Sequence, residues 1–401
     1  MFFKLNTYAY LILGDNGSSI YDLLNGKIHS VPKDVSEELW KLDSGKLELE
    51  NAIHKSYYEK LIQQNLGRIY ETNANVEKIR LGLPKFIDNI ASRKFRINNL
   101  YLQIENECNL SCSFCYSDNR NFKMTGCRKY RVESNLDLEI YKKAILEAYD
   151  LGCRTLHLLG GEPLFNVDII TDLTKYAKTI GYTSICLYTN GLLVTESIIN
   201  KLGTSVIFII QLMTENYSKI FREIKSTLHQ LTEKKCAYYI NICVSKDNFN
   251  DDKMILNDIN TYKPLGVVKT FVHRDLENDK YKEYVTSEIS NTNCNIDEGQ
   301  FHANINHHPC LNGKVVVFRD GKVGACPMLY ESAELSLYES DLCNIISSNY
   351  IKSMWDRPIS THSSCVACSL RLYCPDCIAI TRQADKQHVR AFCRKQLEGG
   401  M

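Results

Sequence analysis

The sequence of 401 residues has almost no net charge, 48 lysines and arginines standing against 47 aspartates and glutamates for +1 at neutral pH. That balance removes the general electrostatic reason to expect nucleic acid or a membrane surface as a partner. No run approaches the 18 or so apolar residues of a spanning helix. The opening Met1-Phe2-Phe3-Lys4-Leu5 has neither the basic n-region nor the following small-residue cleavage site of a signal peptide, and it reads as a strand. Cysteine, by contrast, is plentiful at seventeen. A secreted disulfide scaffold would be short and carry an even number, so the count fits metal ligation in a reducing compartment, the cytoplasm. The apolar fraction of 44% is ordinary for a soluble globular protein, and the length suggests two or three domains.

Three of the cysteines stand as Cys108-Asn109-Leu110-Ser111-Cys112-Ser113-Phe114-Cys115. Thiolates this close can ligate three irons of a [4Fe-4S] cube and leave the fourth iron to a non-protein ligand. A zinc ribbon would need two C-x2-C pairs about 15 to 20 residues apart, and no second pair is near. A structural zinc site is also a closed set of four ligands. The spacing, with the aromatic Phe114 before the third cysteine, resembles the signature of the radical S-adenosylmethionine (SAM) superfamily. That resemblance implies SAM chelating the open iron through its amine and carboxylate. One electron, delivered by a reductant such as flavodoxin or ferredoxin, then releases a 5'-deoxyadenosyl radical, and Phe114 packs beside the adenine.

From residue 98 the pattern becomes strand, loop, helix, repeated. Strands are expected at 100–104, 155–159, 184–188, 206–212, 237–244 and 267–272, with helices at 138–151 and 169–180 between the first three. Such alternation indicates βαβ units and a parallel sheet. The six units resemble the partial (β/α)6 barrel of the same superfamily, where sites gather at the C-terminal strand ends. Gly160-Gly161-Glu162-Pro163 closes the second strand and matches the superfamily's GGEP motif, which by resemblance holds the methionyl amine of SAM through backbone carbonyls and the glutamate. Glycine also lets backbone approach a ligand closely. Thr189-Asn190-Gly191 follows the third strand and matches a TNG element common among these enzymes. Gln211 occupies a position where relatives often carry a serine that contacts the ribose, and Ser245 closes the fifth strand as a further SAM-pocket candidate.

The last hundred residues carry Cys310 and Cys326 flanking Gly321, then Cys365-x2-Cys368-x5-Cys374-x2-Cys377, then Cys393. This resembles the SPASM domain, an extension with two auxiliary [4Fe-4S] clusters, for a total of three. The two residues between Cys374 and Cys377 are one fewer than most members have. By resemblance, Cys310, Cys326 and Cys377 hold the first auxiliary cluster, and Cys365, Cys368, Cys374 and Cys393 the second. A fourth ligand of the first cluster is expected from Cys294 or Cys343, unless its iron stays open for a substrate thiol. Cys127, Cys153, Cys186, Cys236 and Cys243 read as small buried residues.

Residues 1–75 begin with strands punctuated by Asn16-Gly17 and Asn25-Gly26, strong hairpin signals. A capping box, Asp34 with Glu37, then announces a helix, and a second helix beginning near Ile53 is expected to stop at Leu66-Gly67. The layout is similar to the winged-helix RiPP recognition element of enzymes that modify ribosomal peptides. A DNA-reading winged helix needs a basic face, whereas this segment carries eight basic against ten acidic residues. Its sheet edge could instead take a leader peptide as an added strand.

The expected architecture is therefore α/β: a winged-helix-like domain (1–75), a helical linker (76–96), the barrel (97–285) and a SPASM domain (286–401). The expected activity is a peptide maturase that joins a cysteine thiol to a carbon of another residue of a ribosomal precursor, with carbon–carbon and carbon–oxygen cross-links left open. Two rivals stand beside it. An anaerobic sulfatase maturase forms formylglycine with the same clusters, but usually has an aspartate base directly after the cysteine matching Cys326, where this chain has Pro327. The other is an iron–sulfur electron-transfer module, against which the intact cysteine and GGEP motifs argue.

Overall fold

The computed structural model describes residues 1–79, 95–112, 115, 137–272, 279–291, 295–348, 350–362 and 365–374. Two compact units emerge, Met1–Ser92 with Asn291–Cys310 and Trp355–Pro375, and Arg93–Ser290 with Leu311–Met354 and Asp376–Met401.

In the first unit, β1 (Phe2–Leu5) pairs antiparallel with β5 (Gly67–Tyr70). The strands β2 (Ala9–Ile12), β3 (Ser18–Asp22) and β4 (Lys27–Val31) form a separate antiparallel sheet. Both expected hairpins are present, with Gly17 and Gly26 at φ of 113° and 67°, where a side chain would be strained. Helices α1 (Lys33–Asp43) and α2 (Lys55–Gln63) bury Val35, Leu39, Leu42, Tyr58 and Leu61 against Phe3, Leu5 and Ile20.

Three local expectations change. The capping box does not form, because α1 starts one residue before Asp34 with Pro32 as its N-cap. Glu38, one turn further on, instead accepts the backbone N–H groups of Ile53 and His54 and the Tyr58 hydroxyl, so it secures the start of α2 from outside. Ile53 therefore precedes α2 and is 83% exposed. After α2 the left-handed residue is Asn65 at φ 59°, while Gly67 opens β5.

Within this unit the later segments pack onto the three-stranded sheet. Tyr21, Ile296, Phe301 and Leu372 share a core, the Tyr21 hydroxyl donates to the Ser369 carbonyl, and Asp15 N–H donates to the Ala367 carbonyl. The far side of β4 makes one bridge among the described residues, from Lys27 to Asn295.

The second unit is built on an eight-stranded sheet in the order β11-β10-β9-β8-β7-β6-β12-β13. Its parallel run comprises β6 (Asn99–Glu105), β7 (Thr155–Gly160), β8 (Ser184–Thr189), β9 (Ile207–Met213), β10 (Tyr238–Val244) and β11 (Val267–Phe271). Each lies within two residues of expectation. On the other side of β6, β12 (Lys314–Val317) adds in parallel and β13 (Val323–Gly324) returns antiparallel. Helices α3 (Leu138–Asp150) and α4 (Val167–Ile180) cross between the first strands; Asp137 caps one and Gly181 ends the other at φ 115°. Burial of nearly every residue in β6, β7, β9 and β10 is what a parallel sheet covered on both faces requires. Among the described residues no helix is long and apolar enough to cross a membrane. Most of the helical linker expected over 76–96 lies outside the described residues.

Candidate active site

The segment after β6 is held by its neighbour across the sheet. Gly161 N–H donates to the Glu105 carbonyl at 3.0 Å, and Glu162 N–H to the Glu107 carbonyl at 2.7 Å. A Cβ on Gly160 would lie 2.4 Å from the Glu105 carbonyl oxygen, and one on Gly161 2.1 Å from that of Glu107. Both glycines are therefore dictated by close backbone approach. The Glu105 carboxylate accepts from Glu107 N–H at 3.0 Å and from Arg319 at 2.7 Å, and it also meets Asn166. Burial works against its charge, but these donors prevail and hold its pKa below the ordinary value.

Glu162 is fully buried. Its carboxylate accepts from the Thr189 hydroxyl at 2.7 Å, Asn190 N–H at 2.9 Å and Leu164 N–H at 3.2 Å. Burial pushes its pKa up to about 6 against the pull of those hydrogen bonds. Glu162 thus braces the TNG turn through its carboxylate. Asn190 continues the chain, its Nδ2 donating to Asn109 Oδ1 at 2.6 Å and lying 3.8 Å from Cys108 Sγ. Leu110 N–H points at the same sulfur from 3.4 Å.

One pocket at these strand ends is lined by Cys108, Cys112 and Cys115 together with Gly161, Asn190 and Gln211. Tyr188, Thr189 and Met213 add to the wall on the β8 and β9 side, and Leu110 on the cysteine segment. Behind Tyr188, its hydroxyl lies 3.2 Å from His157 Nδ1, while His157 Nε2 lies 2.9 Å from Asn99 Oδ1. Burial, helped by Lys314, pushes the His157 pKa down to about 3, so this lumen histidine is neutral. Ser245 is buried, and its hydroxyl accepts from Thr214 and from Asn248 N–H.

The donor set fits an iron–sulfur cluster with an adjacent small-molecule ligand: three thiols, a glycine backbone that no side chain obstructs, and the buried Gln211 amide N–H without a partner among the described residues. Among the described residues, no group of three or more His, Cys, Asp or Glu is gathered tightly enough to hold a metal ion. Phe114 lies outside the described residues.

The C-terminal cysteines sit differently. Cys310, Cys365, Cys368 and Cys374 belong to the first unit and Cys326 to the second. Cys326 is buried, with Met328 N–H 3.4 Å from its sulfur, and Cys365 and Cys368 share a turn closed by a 3.0 Å backbone bond. Cys343 is exposed. Cys294, Cys377 and Cys393 lie outside the described residues, as does Cys127. Cys153, Cys236 and Cys243 are buried and Cys186 is half-buried. None of the described cysteines forms a disulfide.

Sequence reading missed Asn109, Glu105, Arg319 and the lumen pair Tyr188 and His157. A usable signal was present for four of these. Glu105, His157 and Tyr188 are polar residues at lumen positions of otherwise apolar strands, and Asn109 directly follows the first cysteine.

Residues 102–236 match the sequence profile of the Radical SAM superfamily. Curated relatives include the GTP 3',8-cyclase of Peptoclostridium acidaminophilum, 31% identical over 25% of this chain and 29% of the relative. That of Clostridium perfringens strain SM101 is 26% identical over 48% of this chain and 61% of the relative. The matches thus span less than two thirds of these relatives' length. Among solved structures, Streptococcus suis SuiB bound to S-adenosylmethionine aligns with a TM-score of 0.53 at 15% identity, covering 95% of this chain and 96% of that one. The structure of anSMEcpe with bound AdoMet gives a TM-score of 0.56 at 15% identity, covering 76% of this chain and 92% of that one.

Proposed function

We propose that this chain, whose residues 102–236 match the Radical SAM superfamily profile, is a peptide maturase of the SPASM type, installing a cysteine thioether cross-link in a ribosomal precursor. The observation that carries this reading is the pocket in which Cys108, Cys112 and Cys115 meet the glycine and TNG motifs at the strand ends. Support also comes from the fold shared with SuiB, a protein solved with its precursor peptide SuiA at a TM-score of 0.53.

In this reading Cys108, Cys112 and Cys115 hold one [4Fe-4S] cluster, and Phe114, Gly160, Gly161, Glu162, Asn190, Gln211 and Ser245 are the SAM-pocket residues. Cluster and SAM, when bound, supply a 5'-deoxyadenosyl radical able to abstract hydrogen from the core peptide. The protein's own share is placement: Glu162 fixes Thr189 and Asn190, Asn190 fixes Asn109 and the Cys108 sulfur, and Gly161 lets the end of β7 approach the Glu107 backbone beside the cysteine segment. Ser245 acts through the β9–β10 connection it pins. Cys310, Cys326 and Cys377, with Cys294 or Cys343, serve one auxiliary cluster; Cys365, Cys368, Cys374 and Cys393 serve the other. Residues 1–75 bind the leader, whose backbone adds beside β4, the strand whose far side makes one bridge among the described residues.

The test is a search of the neighbouring reading frames for a short cysteine-containing precursor, then anaerobic incubation of that peptide with the reconstituted protein and mass spectrometry. A loss of two hydrogens localised to a cysteine and a partner residue supports the reading. Formylglycine at a single site would favour the sulfatase-maturase alternative, and turnover of GTP without change in the peptide would favour the chemistry of the curated relatives.

A further inference from the structure

Gln211 projects from β9 into the barrel lumen, is 1% exposed and lines the cysteine pocket. Its amide oxygen already receives two donors, Asn241 Nδ2 at 2.9 Å and the Cys243 thiol at 3.4 Å. An amide oxygen has two lone pairs, so it is filled. Asn241 is oriented in turn, because its own oxygen accepts the Thr270 hydroxyl at 2.8 Å and its NH2 group is thereby turned towards Gln211. Strand register builds the relay: Asn241 stands opposite Gln211 between β9 and β10, and Thr270 stands opposite Cys243 between β10 and β11. What remains is Gln211 Nε2, a buried donor with no hydrogen-bond partner among the described residues. A buried N–H left unmatched is unfavourable, and an acceptor brought by a ligand would relieve it.

We propose that Asn241, Cys243 and Thr270 are positioning residues that lock the polarity of Gln211, so that its amide N–H faces the pocket and the ligand presents an acceptor oxygen there. This rests on the SAM-dependent reading above. The acceptor is a carboxylate, hydroxyl or carbonyl oxygen, supplied either by SAM or by the peptide substrate. Four residues from three adjacent strands then act as one device: Thr270 sets Asn241, Asn241 and Cys243 set Gln211, and Gln211 selects the ligand atom.

The anaerobically reconstituted enzyme tests this through binding alone, using S-adenosylhomocysteine and the precursor peptide as separate probes. Gln211→Glu puts an oxygen where the N–H was. Asn241→Asp gives Gln211 an acceptor to donate to, which turns its amide around and presents the oxygen to the pocket by another route. Both variants should weaken the same probe by about tenfold or more. Thr270→Val keeps the side-chain shape but releases Asn241, and should weaken that probe about threefold. Loss confined to S-adenosylhomocysteine assigns the acceptor to SAM; loss confined to the peptide assigns it to the substrate. Wild-type affinity for both probes in Asn241→Asp and Thr270→Val, alongside weakened binding in Gln211→Glu, would overturn the relay. Unchanged binding in Gln211→Glu would overturn the role of Gln211 itself. Melting temperatures identify a variant that does not fold, and if Asn241→Asp is one, Thr270→Val decides the relay. Failure of the wild type to bind S-adenosylhomocysteine at all would count against the SAM-dependent reading, while the peptide arm would still report on the polarity of Gln211.

Discussion

At the ends of β6, β7 and β8 the motifs are tied to one another by buried side chains: Glu162 to Thr189 and Asn190, and Asn190 to Asn109 beside Cys108. The C-terminal cysteines lie on local turns, Cys365 and Cys368 closed by a backbone bond like that between Cys112 and Cys115, and Cys310 and Cys326 belong to different units, so the difference lies in the side-chain ties around Cys108. Strand register can set a site before any metal arrives. Where turns carry the sulfurs, metal binding energy adds to the folding energy that packing already supplies. The two regions should therefore answer differently to the loss of their cysteines.

The largest expected effect is at the strand-end site. Replacing Cys108, Cys112 and Cys115 together by alanine should remove about four irons per chain, abolish SAM cleavage and leave the melting temperature close to that of the parent. Iron analysis and calorimetry check both halves, and a large drop in melting temperature would show that this site also depends on metal for its order.

Next comes the converse change, Cys365→Ala with Cys368→Ala. It should also cost about four irons, but SAM cleavage without peptide should persist while the melting temperature falls by several degrees. Equal loss of cleavage in both variants would erase the distinction between the regions.

A smaller effect isolates the brace. The folded Glu162 carboxyl, raised to about 6 from an ordinary 4.5, binds its proton more tightly than in the unfolded chain. Its contribution therefore favours the folded state below pH 4.5 and declines by about 2 kcal/mol in all as pH rises through 6. Glu162→Gln should remove that slope, seen as the difference between the two urea-denaturation profiles across this window. Parallel profiles would mean that Glu162 is not desolvated as described.

The smallest effect is on the leader. Added leader peptide should slow amide exchange at residues 27–31 of β4 by a few-fold, about what a weakly bound strand provides. Tight leader binding with unchanged exchange there would move the docking site elsewhere.

The barrel was largely legible in the sequence because period and punctuation agree: apolar strands of five to seven residues recur between helices, and the glycine motifs mark where backbones meet. The N-terminal region was less so. Asp34 and Glu37 have capping-box spacing, yet Pro32 takes the cap, and the acid that secures a helix start is Glu38, through groups fifteen or more residues away. β5 was missed because its partner β1 is more than sixty residues distant and its four residues show little alternation. In the site, the cysteines and glycines announce themselves by spacing. The hydrogen bonds of Glu162 and Ser245 depend on tertiary partners, Thr189 and Thr214, that no local pattern reveals.

The central claim is radical chemistry on a peptide, and isotope transfer addresses it most directly. With the precursor peptide deuterated on carbon, the reconstituted enzyme should form 5'-deoxyadenosine that carries deuterium, in step with appearance of the cross-linked peptide. Unlabelled 5'-deoxyadenosine formed at the same rate, with the peptide recovered unchanged, would contradict it.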